Sequence, residues 1–293
     1  MGLVYATDDY LFEGVHSDIF LGITRTLHAG GFHLAFCPLQ DDRGWRHVIE
    51  ESRIDGAFLF GVPPRPVADA LRRQCIPQVM LATDADPTAP TVVVDDVAGG
   101  RMAAEHLLEL GHHEILFWVH PEIAEHCSVG QRIEGYAEAM RDHGAAPRTL
   151  FRQPVDAVRA AVTARSRRAT AIVCYCDHEA LVVQHMLWRE GLSAPRDLSV
   201  IAFNDKKSMQ LMTPPLTTIG FDAERIGSAG AEAMIRLIRS GGAPTVAGAT
   251  MSIAPRLIVR ESTAPPNEGR RRASEPNRVA KRPHLQNTIA LSE

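Results

Sequence analysis

Two close pairs in this chain carry side chains able to hold a metal ion: Cys174 with Cys176, and His112 with His113. The cysteines share one face of a strand-like run, IVCYC, where two thiolates could ligate a soft ion or take part in redox chemistry. Cysteine at such a position is more commonly a small buried hydrophobe. The histidines stand just past a helix stop at Gly111, where basic side chains meet the negative end of a helix dipole, a structural use. No metal or cofactor is expected from either pair. The chain also lacks GxxxxGK[ST], HExxH and GxSxG, and no Gly-rich dinucleotide fingerprint follows the first strand. No enzyme is expected.

The better candidates are binding groups. Asn204 and Asp205 end the strand-like run LSVIAF at its carboxyl edge, where open α/β sheets collect ligands. Arg132 stands near the start of a helical segment, and a guanidinium presents a planar fork suited to hydroxyls, carboxylates or phosphates. Its local sequence alone favours a surface arginine at a helix start.

The elements that must position these groups follow one rhythm. Gly2 to Ala6 reads as a buried strand, His16 to Ala29 as a helix ended by Gly30 and Gly31, and Phe32 to Cys37 as the next strand. AFLF at Ala57, a helix over Val67 to Gln74 and the strand Gln78 to Ala82 continue it. After VVVDD a second cycle begins with a helix over Val97 to Leu110, stopped at Gly111. The strand Glu114 to Val119, a helix through Gly135 to His143, the strand Thr170 to Tyr175, a helix over His178 to Glu190 and the strand Leu198 to Phe203 complete it. Alternation of this kind predicts α/β units with parallel sheets, and its repetition predicts two lobes.

Composition agrees. The 293 residues are 45% hydrophobic, enough for about two domains at ~150 residues each. A net charge of -4 gives no global basic field for nucleic acid. No window approaches the roughly 18 apolar residues of a membrane span, and MGLVYATDDY lacks the features of an export signal, so a cytoplasmic protein away from membranes is expected. Five scattered cysteines in such a chain argue against a disulfide framework. From Thr263 the sequence becomes rich in Pro, Arg, Asn and Ser, which predicts a disordered basic tail over 263–293. Its RRRAS could contact phosphates or a partner, or be a solvated tail.

Four ordered blocks then carry a resemblance: DDVAGGRMAAEHLLELGHHEIL from Asp95, QRIEGYAEAMRDHG from Gln131, AIVCYCDHEALVVQHMLWREGLSAPRDLSVIAFND from Ala171, and PPLTTIGFDAERIGSAGAEAMIRLI from Pro214, with RLIVRES as a last strand. Together they resemble the lactose-repressor and galactose-repressor family of transcription regulators. The resemblance implies a type I periplasmic-binding-protein-like fold over 1–262: two Rossmann-like lobes with parallel sheets, joined by three crossovers, with a ligand in the cleft. Lobe one would take about 2–94 plus 222–248, and lobe two about 95–221 plus 251–262.

The resemblance also implies roles. Arg132 matches the arginine of an R-x-x-G-[FYW] motif that grips a ligand oxygen. Asn204 and Asp205, and Cys176 with Asp177, stand where the family gathers polar ligand contacts. Asn204 replaces a usual aspartate, Cys176 a usual asparagine, and Ala82 a further aspartate of some sugar-binding relatives. These departures point away from an ordinary hexose, toward a less hydroxylated, anionic or more apolar ligand. Asp8, Tyr10 and Phe12 match a loop whose aromatic residue stacks on ligand, and Phe12 reads equally as packing under the first helix. Ser128 and His126 are candidate second contacts.

The function implied is the ligand-sensing domain of a regulator: a small-molecule effector binds, lobe closure changes a homodimer, and DNA affinity follows. In the family a helix-turn-helix precedes the core, whereas here the first strand starts at Gly2, so DNA contact is expected only through a reading head this chain lacks. The alternative is a headless or transport-related solute-binding protein.

Overall fold

The computed structural model describes residues 2–5, 15–38, 42–51, 54–61, 63–83, 88–121, 126–241 and 249–267. Its strands form two six-stranded sheets. The first contains β1 (Gly2–Tyr5), β2 (Ala35–Pro38), β3 (Ala57–Phe60), β4 (Gln78–Leu81), β5 (Thr91–Val94) and β11 (Thr250–Ile253), in the order β11-β5-β4-β3-β1-β2. The second contains β6 (Ile115–Val119), β7 (Thr149–Phe151), β8 (Ala171–Cys174), β9 (Ser199–Phe203), β10 (Thr217–Gly220) and β12 (Arg256–Ile258), in the order β12-β10-β9-β8-β6-β7. Every pairing is parallel except β10 with β12. Central strands read as unbroken apolar runs because both faces are covered, as ILFWV of β6 illustrates with all five residues buried.

Each sheet is a sandwich filling. α1 (Val15–Ala29) and α8 (Ala223–Arg239) bury Ile19, Ile23, Ile226 and Met234 on one face of the first sheet. α2 (Asp42–Ile49) and α3 (Arg65–Arg73) close the other face with Trp45, Ile49, Val67 and Leu71. α4 (Asp96–Glu109) and α5 (Cys127–Asp142) cover one face of the second sheet. α6 (Val155–Thr163) and α7 (Asp177–Arg189) cover the other. Full burial of one such Leu or Ile stabilises by about 1.5–3 kcal/mol, so four layers of this kind hold two separate cores.

The chain crosses between sheets three times: from β5 into α4, from β10 into α8, and from β11 into β12. These crossings leave the carboxyl ends of β5, β10 and β11, so the carboxyl edges of both sheets lie on the side where the lobes join. The expected fold class, two parallel-sheet lobes with three crossovers, is therefore what the structure contains. One boundary differs. Thr250–Ile253 pairs with Thr91–Val94 in the first sheet, whereas residues from 251 were expected in lobe two.

The tail boundary differs as well. Thr263 and Ala264 are packed against the amino edge of the second sheet: Thr263 Oγ1 meets His106 Nε2 at 2.9 Å and Thr217 Oγ1 at 3.1 Å. The Ala264 carbonyl accepts at 2.8 Å from His112 Nε2 and at 2.9 Å from Ser199 Oγ. This strap is held by hydrogen bonds, which a search for apolar residues does not detect. Residues 268–293, including the RRRAS segment, lie outside the described residues.

Candidate functional site

Arg132 is buried in the first turns of α5, only 5% exposed, because α5 lies close against α4. The closeness depends on two glycines: a methyl group on Gly100 would overlap the Arg132 carbonyl oxygen, and one on Gly135 would overlap that of Val97. Asp96, at the start of α4, then meets the guanidinium, with Oδ1 2.6 Å from Arg132 Nε. Arg132 Nη1 donates to the Tyr175 carbonyl at 2.8 Å, and the guanidinium carbon lies 4.8 Å from the Tyr175 ring centre and 4.3 Å from that of Phe203. Burial, the largest influence, opposes the charge, but Asp96, Tyr175 and Cys176 together outweigh it and raise the Arg132 pKa. Nη2 has no hydrogen-bond partner among the described residues, yet it is not sealed away from solvent. One edge of a rigidly held cation is thus without a partner among the described residues.

Tyr175 joins the second group of candidates to the first. Its hydroxyl lies 2.9 Å from Ser128 Oγ, and Ser128 Oγ lies 2.7 Å from His126 Nδ1. His126 also caps α5 by accepting from the Ser128 amide at 3.2 Å. Ser128 is buried, so its hydroxyl holds Tyr175 and His126 in place.

Cys176 is the N-cap of α7, and Asp177 follows it at the first helical position. Burial pushes the Cys176 thiol up to about 11, so it remains protonated and is no thiolate nucleophile near neutral pH. Cys174, on β8, is fully buried and burial raises its pKa well above the usual thiol value, which fits the plainer reading of a core hydrophobe. Asp177 is 1% exposed; its Oδ2 accepts from the Lys206 amide at 3.3 Å, and its Oδ1 is sealed without a partner. Burial raises its pKa to about 7.

Asn204 and Asp205 both adopt left-handed backbone conformations, with φ of 95° and 57°, and so turn the chain sharply off the carboxyl end of β9. The Asn204 side chain makes no hydrogen bond to the described residues. Asp205 is engaged: its Oδ1 lies 2.6 Å from Arg260 Nη2, and Arg260 also donates to the Leu216 carbonyl at 2.7 Å. Ala82 closes β4 with φ of 54°. Asp8, Tyr10 and Phe12 lie outside the described residues.

Four participants were not singled out in the sequence: Asp96, Tyr175, Glu179 and Arg260. Asp96 was hidden in the dipeptide after VVV, where only its neighbour Asp95 behaves as an N-cap, accepting from Ala98 N at 2.9 Å. Glu179 left a weak signal, since Cys-x-x-Glu is a capping box with a thiol in place of the usual hydroxyl. His112 is structural, as expected, but through hydrogen bonds to Thr170, Ser199 and Ala264 and not through a dipole. Burial lowers its pKa. Among the described residues no three His, Cys, Asp or Glu side chains gather to hold a metal, and no helix is long and apolar enough to cross a membrane.

Comparison with known proteins agrees with this architecture. The family described as "Periplasmic binding protein-like domain" matches residues 104–263. The regulator DegA of Bacillus subtilis, described as an HTH-type transcriptional regulator, is 30% identical over 255 residues, covering 81% of this chain and 73% of that protein. The arabinose metabolism transcriptional repressor of Geobacillus stearothermophilus is 26% identical over 277 residues, 87% of this chain and 74% of its own. Among solved structures, a LacI family regulator from Enterococcus faecium with bound ribose superposes with a TM-score of 0.77 at 23% identity, covering 91% of this chain and all of that one. A LacI family regulator from Mycobacterium smegmatis gives a TM-score of 0.71 at 26% identity, covering 91% of this chain and 99% of that one. The relatives are regulators of transcription and not enzymes, which does not favour the transport alternative. The two-lobed fold, the ordered blocks and these matches converge: the chain belongs to the lactose-repressor and galactose-repressor (LacI) family of transcription regulators and carries that family's ligand-sensing core.

Proposed function

We propose that this core binds a small, polar, sugar-like effector between its lobes, without catalysing a reaction, and passes its state to DNA through a homodimer in the cytoplasm. The observation that carries the reading is Arg132: Nε and Nη1 are fixed by Asp96 and Tyr175, and Nη2 is left unpaired at the carboxyl edge of the second sheet. Asn204 adds an unbonded amide from the neighbouring strand end. Ser128, His126, Cys176, Asp177 and Asp205 shape the same wall. Ribose and D-xylulofuranose, bound in two solved relatives of similar fold, indicate where to begin a search for effectors.

Self-association has a candidate surface. Leu181 is 42% and Trp188 75% exposed on α7, with His185 stacked near Trp188 at 6.0 Å between ring centres. An apolar stripe of this kind on a surface helix suits burial against a second copy.

The test is calorimetric titration with D-ribose, D-xylulose, L-arabinose and cellobiose against the wild type and Arg132→Lys. A hydrogen bond to a charged group contributes about 1.5–3 kcal/mol, so the variant should bind the best of these at least tenfold more weakly. Unchanged affinity in a folded Arg132→Lys variant removes Arg132 from the site.

A further inference from the structure

Glu179 is fully buried, although it lies on the first turn of a helix that begins at the candidate cleft. Its two oxygens serve different loops. Oε1 accepts from the His120 amide, just after β6, at 2.6 Å, and Oε2 accepts from the Cys176 amide, just after β8, at 3.3 Å. Two residues earlier, Asp177 Oδ2 accepts from the Lys206 amide, just after β9. One helix start thus holds three loops by their backbones.

Those loops carry the polar wall. The first leads into His126 and Ser128, the second supplies the Tyr175 carbonyl that fixes Arg132, and the third bears Asn204, Asp205 and Lys206. We infer that Asp177 and Glu179 act as positioning residues for the effector cleft, a two-carboxylate clasp that holds all three loops at their binding geometry. The inference rests on the cleft reading proposed above.

Geometry gives the clasp a protonation dependence. Both Glu179 oxygens accept amides, so a proton on either one displaces one amide; a proton on Asp177 takes the unpartnered Oδ1 and leaves Oδ2 accepting from the Lys206 amide. Burial raises both carboxyls to about 7. The groups facing them are Arg132 from α5, Asp205 and Lys206 after β9, and Cys174, Tyr175 and Cys176 along β8 and its loop. Arg132 and Lys206 favour ionisation of Asp177 while Asp205 opposes it, and Arg132 favours ionisation of Glu179. The Glu179 arm of the clasp is therefore full above about pH 7 and loosens below it, while the Asp177 arm keeps its amide.

Amide hydrogen exchange on the full 293-residue chain at pH 8 and pH 6, read as protection factors, tests this without any effector. Protection at the His120 and Cys176 amides should fall at least tenfold from pH 8 to pH 6, with the Lys206 amide and the amides of β8 and β9 unchanged. Glu179→Gln should abolish the pH dependence at His120 and Cys176, and Asp177→Ala should lower protection at Lys206 at least tenfold at both pH values. Should Glu179→Gln fail to fold, the wild-type profile and Asp177→Ala decide. Protection at His120 and Cys176 that ignores pH or falls equally across the strands, or protection at Lys206 that ignores Asp177→Ala, overturns the inference. Because no ligand is involved, the clasp can fail here while the sugar titrations succeed, and the reverse.

Discussion

Replacing Arg132 by methionine keeps most of the side-chain volume in the wall but leaves the Asp96 carboxylate buried with its counter-charge gone. The two side chains are 6% and 9% exposed, so solvent cannot take over. Breaking such a pair from one side costs about 3–5 kcal/mol, a large share of the 5–15 kcal/mol typical of a folded domain. Asp96→Asn should cost less. The cation it leaves still faces the Tyr175 and Phe203 rings and the Tyr175 carbonyl, and a desolvated cation–ring contact offsets up to about 2 kcal/mol. The double variant Arg132→Met/Asp96→Asn buries no unmatched charge, so its cost should fall below the sum of the two by about 1–3 kcal/mol. Urea unfolding followed by circular dichroism, with equal m-values across the series, measures all three. Additivity within about 0.5 kcal/mol, or a costlier Asp96→Asn, would refute the picture of a desolvated pair with a ring-stabilised cation.

Two further outcomes are expected. A chain ended after Ser262 should unfold at lower urea than one ended after Asn267 by about 1–3 kcal/mol, because His112, His106 and Ser199 lose their strap partners in the buried sheet edge. Urea melts of the two truncations isolate the strap from the residues beyond it. Trp188→Glu should shift the protein from dimer to monomer in sedimentation velocity at tens of micromolar, and a wild type that is monomeric there removes α7 as a dimer surface.

Long, strongly patterned elements were legible in the sequence. α4 and α7 lie within a residue of the expected helices, since their apolar stripes end at Gly111 and Gly191. Less legible were α2, whose DRGWRHVI carries a glycine and few apolar residues, and the three-residue β7 on a sheet edge. β11 was misplaced because TMSI has only Ile253 buried, so its register is set by Thr91–Val94 across the lobe and not by its own pattern. Site residues divide in the same way. Arg132 and Asp205 were visible as charged residues at element ends. Their partners were not, because Asp96, Tyr175 and Arg260 meet them only through tertiary packing of elements 36 to 55 residues apart in sequence.

The partners settle what the lobe-two wall has left to offer. Asp96 is matched by Arg132 and Asp205 by Arg260, Asp177 is sealed, and Glu179 is committed to backbone amides. The Lys206 ammonium, by contrast, makes no ion pair or hydrogen bond among the described residues, and Arg132 Nη2 and the Asn204 amide are equally unbonded. The unspent groups are mainly donors, so an effector seated at the proposed wall is expected to bring acceptors. Vicinal hydroxyls prefer carboxylate acceptors, and the carboxylates of this wall are occupied. Within a matched pair of ligands, an aldonate such as D-ribonate should then bind more tightly than D-ribose, by about tenfold for one added charge-assisted hydrogen bond. The advantage should shrink with added salt and in Lys206→Gln. Calorimetry that ranks D-ribose above D-ribonate would show that free acceptors outside this wall, and not its donors, select the effector.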